Sequence, residues 1–229
     1  MRDLPGWLRG TVTLWLAFWA GVHLYFGGFG FPAPVEMRAI HLLVFTPPLF
    51  ILYPAFRGRS PAGRPSVFDL GWFIASAAPH AWVLWHAGAV NDRMEYVDPF
   101  TTGMMALGIV CLITLLEAIR RAVEPGLAVM VAVCILYMFV GHMLPGVLNT
   151  RVFSAAEVVE AAWLVPTAGG VYGPLTGIVA TTIAVFIIFG AFMQGSGTGR
   201  LFSNFGGAGA GRYQGGPAKV AGVSSGRFG

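Results

Sequence analysis

Residues 171–193 read VYGPLTGIVATTIAVFIIFGAFM, a run without a single charged side chain. An α-helix rises about 1.5 Å per residue, so a run of this length reaches across the ~30 Å hydrocarbon core of a bilayer. Lipid offers no partner to a bare amide, and a run this apolar can cross only as a helix. Five more runs of this kind lie upstream, at residues 11–26, 39–56, 70–90, 100–116 and 126–143. The second holds Pro47 and Pro48, each lacking an amide hydrogen, which predicts a kink or break there. Composition agrees. Only 10% of the chain is charged and 56% is apolar, whereas the polar coat of a soluble domain needs roughly a quarter charged residues. The fold class expected is all-α, a polytopic membrane protein of about six transmembrane helices.

Charge placement predicts the orientation. With a cytoplasmic N-terminus, the inner segments hold ten basic residues: Arg2, Arg9, Arg57, Arg59, Arg64, Arg120, Arg121, Arg200, Arg212 and Lys219. The outer segments hold three, Arg38, Arg93 and Arg151, together with the acidic Glu36, Asp92, Glu95, Asp98, Glu157 and Glu160. The positive-inside rule favours that arrangement, and the location expected is the cell inner membrane. The first apolar run has no small-residue cleavage site and reads as a helix that stays. The net charge of +4 is spread in short clusters between apolar runs, which points away from nucleic acid as a partner and towards the lipid bilayer.

Between the fifth and sixth runs, Ser154 followed by Glu157 is a capping-box pattern, predicting a short helix over residues 155–164. That helix is either interfacial, lying along the outer membrane surface, or an ordinary loop helix. Gly169, Gly173 and Gly177 recur every fourth residue and form a candidate helix-packing stripe. Glu117, Arg120 and Arg121 close the fourth run at spacings that allow ion pairs along one helix side, and serve as topology anchors. Asp69 opens the third run, where a helix dipole favours an anion.

No chemistry of catalysis stands out. The five histidines, His23, His41, His80, His86 and His142, sit in or beside apolar runs, where haem ligation or a proton relay is the sharp reading. His80 and His86 are six apart and fall on different helix faces. Cys111 and Cys134 lie inside apolar runs without metal-ligand spacing and read as packed thiols. No nucleophile–base pair, carboxylate pair, phosphate loop or metal cluster is visible, so a non-enzyme without cofactor or metal is expected.

The last third carries a resemblance. GVYGPLTGIVATTIAVFIIFGAFMQGSGTG from Gly170, followed by GRYQGGPAKVAGVSSGRFG from Gly211, resembles the large permease of tripartite ATP-independent periplasmic (TRAP) transporters. LLEAIRR (115–121), PGLAVMVAV (125–133) and YMFVGHMLPG (137–146) are similar to the same family. Over the first hundred residues the likeness rests on helix count and charge placement. The form it most resembles is the fused permease, in which a small four-helix subunit precedes the large one and a TAXI-type binding protein serves it.

That resemblance implies three parts. Residues 1–124 would be a small-permease-like four-helix domain, residues 125–165 a linking helix and a periplasmic interfacial helix, and residues 166–229 the start of the large transport domain. It implies symport of an organic anion, a carboxylate, delivered by a periplasmic substrate-binding protein and driven by a sodium gradient. The ion and substrate sites of the family are re-entrant hairpins expected beyond Gly229. Ser224 and Ser225 lie on the approach to the first of them. The chain is therefore expected to be a truncated or split piece that needs the remainder of the large permease. The alternatives are a small membrane scaffold or assembly protein, and a haem-binding electron carrier using two of the histidines.

Overall fold

The computed structural model describes residues 2–56, 63–167 and 169–198. Arg57, Arg59, Arg200, Arg212, Lys219, the GRYQGGPAKV junction, Ser224 and Ser225 lie outside them. The described residues are helical, with no strand among them. The helices are α1 (Gly6–Phe29), α2 (Pro34–Leu52), α3 (Val67–Trp85), α4 (Ala87–Asp92), α5 (Thr102–Ala122), α6 (Pro125–Val140), α7 (Ala155–Trp163), α8 (Pro174–Ile178) and α9 (Ala184–Gly195). Six spans are long and apolar enough to cross a membrane: α1, α2, α3, α5, Pro125–Met143 and Pro174–Gly195. The six-helix expectation holds, and the protein is a multi-pass membrane protein. The chain divides into two compact units, Met1–Thr182 and Ile183–Gly229. In the second, α9 buries none of its side chains and exposes Phe186, Ile187, Phe189 and Phe192.

Most helix ends follow from local chemistry. Pro34 starts α2 five residues ahead of the predicted start, because proline's fixed φ suits the first helical turn and Glu36 complements the dipole there. Ser66 caps α3 and forms a capping box with Asp69, while Thr101 caps α5 through the Met104 amide. Pro125 opens α6, and short 3₁₀ turns at Gly141–Met143 and Gly146–Leu148 follow it. The predicted third helix is longer than the observed one. α3 ends at Trp85 with His86 as its cap, and α4 restarts at Ala87.

The predicted break at Pro47 and Pro48 does not occur, since α2 runs on to Leu52. Pro48 cannot donate to the carbonyl of Val44, four residues back. That oxygen instead accepts the Trp15 indole N–H at 3.2 Å, a donor borrowed from α1. Both prolines are buried.

Within the first unit, α2 is the most buried of the spans and α3 and α5 pack beside it, while α1 and α6 bury little. The core gathers Val35 and Ala39 of α2, Val83 of α3, Met104 and Cys111 of α5, Trp163 of α7 and Tyr172 from the segment before α8. At Gly108 of α5 the absent side chain makes room for α7: a Cβ there would stand 2.5 Å from Val159 and 2.8 Å from Trp163. The apolar face of α7, with Val158, Val159 and Trp163, is thus buried in protein rather than turned to lipid.

Candidate functional site

The ends of the bundle are joined by two buried polar clusters, and together they are the candidate site of this chain. The first sits where the N-terminal segment, the start of α3 and the end of α5 meet. Ser66 fixes the Asp69 carboxylate through its amide at 3.0 Å and its hydroxyl at 2.9 Å. Asp69 then accepts from Arg2 Nη2 and from Arg121 Nη1, each at 2.6 Å. These three side chains are 0%, 3% and 1% exposed respectively, so the charges must compensate one another. Glu117 adds a second anion, accepting from Arg120 Nε and from Arg121 Nε, both at 2.7 Å. Arg120 also donates to the Ala55 carbonyl at 2.9 Å, and Arg121 lies over the Phe50 ring. Arg120 and Arg121, as the last turn of α5, also oppose its dipole favourably.

The second cluster lies where α2 begins and α4, α7 and the 164–173 segment converge. Gly170 makes that convergence possible. Its φ of +70° suits glycine, and a Cβ would strike the Ala161 and Ala162 backbone. The chain turns back there, so that Val171 N donates to Ala162 O at 2.8 Å and Tyr172 N to Trp163 O at 3.2 Å. Both carbonyls belong to the last turn of α7, which a helix leaves without internal partners. Arg38 of α2 reaches across to donate to Pro166 O at 3.0 Å and Tyr172 O at 2.6 Å. Buried Glu160 of α7 pairs with Arg93 and accepts the Tyr96 amide at 2.9 Å. Tyr96 is held at a φ of +61°, an unusual conformation for a bulky residue. Glu95 receives the Thr167 hydroxyl.

Beneath this cluster the Tyr172 hydroxyl and His80 Nδ1 stand 2.9 Å apart, and His80 Nε2 is buried with no partner among the described residues. Burial and a hydrogen bond thereby tie α3 to the segment that leads into α8.

The sequence-derived candidates are placed as follows. Glu117, Arg120 and Arg121 meet in the first cluster, with Asp69 and Arg2 as partners that no spacing rule points to. Only Gly177 of the three glycines is inside a helix. Gly169 and Gly173 lie in the turn ahead of Pro174, and a Cβ at Gly173 would strike the Gly169 backbone. Gly177 instead faces the Arg38 guanidinium, 3.0 Å from where its Cβ would be. The Ser154–Glu157 capping box forms as read, and Arg151 donates to Glu157 at 2.9 Å. Its amide and hydroxyl bonds from Ser154 lower the Glu157 carboxyl below its ordinary value. His23 Nε2 and His41 Nδ1 lie 3.2 Å apart, in direct contact and without a gap for an iron between them. Cys111 is buried and Cys134 exposed, and both are free. No group of three metal-ligating side chains occurs among the described residues.

Such an arrangement holds helices in register. Fold and clusters together define a polytopic helical membrane protein with a tightly interlocked first unit. Residues 110–229 match the family described as tripartite ATP-independent periplasmic transporter, DctM component, and the chain belongs to that family. No curated protein and no solved structure matches it. The matched stretch begins inside α5, the helix that carries Cys111, Glu117 and Arg121. Arg2, Arg38, Asp69 and His80 all lie upstream of it.

Proposed function

We propose that this chain is a component of a TRAP-type secondary transporter that takes up an organic anion, a carboxylate, delivered by a periplasmic binding protein and driven by an ion gradient. The observation that carries this reading is the family match over residues 110–229, in a chain with six membrane-length helices. The fused arrangement, with a small-subunit-like part first, is supported by α5. The matched stretch begins inside that helix, at residue 110, and the helix is packed against α2 and α3 upstream of it. In this reading α1, α2, α3 and α5 are the scaffold. The Arg38 and His80 contacts anchor the entry into the transport part to that scaffold. A cytoplasmic N-terminus is the orientation the basic-residue bias favours, and the inner membrane is the location the family resemblance implies. Sodium is the coupling ion the family resemblance favours, and a TAXI-type protein the partner.

The test is uptake into cells that co-express this chain with the binding protein and permease segments encoded beside it. The expected result is accumulation of a radiolabelled organic acid that collapses when the sodium gradient is dissipated and survives ATP depletion at constant gradient. Uptake that follows ATP and ignores the gradient would overturn the reading, as would no dependence on the binding protein.

A further inference from the structure

Between the end of α5 and the start of α6 the first unit has a cavity of about 410 Å³, walled by Phe56, Arg120, Arg121, Glu124 and Pro125 among others. Its wall carries both signs of charge: two guanidinium groups and the carboxylate of the exposed Glu124. Arg121 is 1% exposed, and its Nη2 has no partner among the described residues although Nε and Nη1 are committed to Glu117 and Asp69. Burial keeps Arg121 from any group in the cavity, so Arg120, 38% exposed at the same wall, is the guanidinium that an anionic oxygen can reach.

A second hollow of about 370 Å³ adjoins the first, sharing Arg120 and Pro125. It runs along the α5–α6 hairpin between Trp72, Ile113, Ala128, Val129 and Ala132, and is almost wholly apolar. The polar chamber therefore sits at the ends of two membrane spans, and the apolar one continues from it along those spans. A polar chamber with an apolar tail at that depth has the outline of a lipid.

We propose that this double cavity holds one zwitterionic glycerophospholipid, with its phosphate against Arg120, its ammonium against Glu124, and one acyl chain in the α5–α6 groove. Glu117 and Asp69 already offset most of the local positive charge, and Glu124 adds a further carboxylate to the wall. A headgroup carrying both charges matches that wall better than a purely anionic one. The lipid then fills the seam where α6 leaves the buried bundle, which otherwise rests on few side chains.

Native mass spectrometry of the full chain, released from nanodiscs containing phosphatidylethanolamine and phosphatidylglycerol in equal amounts, tests this. Retention of one phosphatidylethanolamine per chain in preference to phosphatidylglycerol is expected. Glu124→Gln, at an exposed position, should abolish that preference. Ala132→Trp fills the apolar groove from an exposed position and should reduce retention of either lipid about tenfold, roughly the effect of 1.4 kcal/mol. Preferred retention of phosphatidylglycerol would overturn the zwitterionic assignment. Equal retention of both lipids, unmoved by either substitution, would mean that only non-specific annular lipid is present and would overturn the site itself.

Discussion

Asp69→Asn isolates the central charge of the first cluster. The substitution keeps shape and volume but removes the anion that two guanidinium groups share at 2.6 Å. Arg2, Arg120 and Arg121 would then face Glu117 alone, with Arg2 and Arg121 at 3% and 1% exposure. Solvent does not reach Arg2, Asp69 or Arg121 to screen them, so the discount that applies to surface pairs does not apply to these three. Removing one partner of a buried pair costs about 3–5 kcal/mol, because a charge is left uncompensated. Asparagine can still accept from Ser66, so the cap on α3 survives in part and the loss comes from the ionic contacts. The assay is reversible unfolding in mixed micelles with rising dodecyl sulfate, followed by circular dichroism and tryptophan fluorescence. Arg2→Gln in the Asp69→Asn background supplies the control. If the cluster acts as a unit, the double variant is less damaged than the sum of the singles by roughly 1–3 kcal/mol. A loss below about 1 kcal/mol for Asp69→Asn, or strict additivity, would refute the argument.

Gly108→Ala should press α7 away from α5, since the new Cβ would lie 2.5 Å from Val159 Cγ1; the cost is about 1–3 kcal/mol, and hydrogen exchange over residues 155–163 should quicken. Trp15→Phe leaves the Val44 carbonyl without its indole donor and should destabilise by roughly 1–2 kcal/mol. The effect should shrink in a Pro48→Ala background, where the backbone N–H is restored, and equal losses in both would show that the indole bond is not the cause. The Glu157 carboxyl is lowered below its ordinary 4.5 by its bonds from Ser154 and Arg151. Its contribution is therefore fully present above pH 4.5 and is lost as pH falls through the lower folded value. The start of α7 should loosen over that acidic range in exchange measurements corrected for intrinsic rates, and Glu157→Gln should flatten the dependence.

The number and course of the helices were legible because lipid imposes one rule on the chain: an apolar run of bilayer length must satisfy its own amides. The capping box at Ser154 was equally legible, being a contact within four residues. The pairing of Glu117 with Arg120 and Arg121 followed from helix spacing alone. The family was legible from residue 115 onward, in motifs that fall within the matched stretch 110–229.

What spacing could not supply was the partner of each buried polar group. Asp69 reads as a dipole-favoured helix start, yet it holds together Arg2 and Arg121, 67 and 52 residues away in the chain. Pro47 and Pro48 read as a break, but a donor from a different helix satisfied the carbonyl that Pro48 orphaned. Gly169, Gly173 and Gly177 read as one stripe, but Pro174 starts the helix after two of them, and they fold a turn instead. His80 and Arg38 carry no local pattern that points to Tyr172, 92 and 134 residues on. The sequence by itself determined where the chain is helical, because that depends on side chains within a few residues and on the solvent around them. Only the tertiary structure decided which charges and carbonyls meet, because a buried polar group takes whichever partner the packing of distant helices brings within about 3 Å.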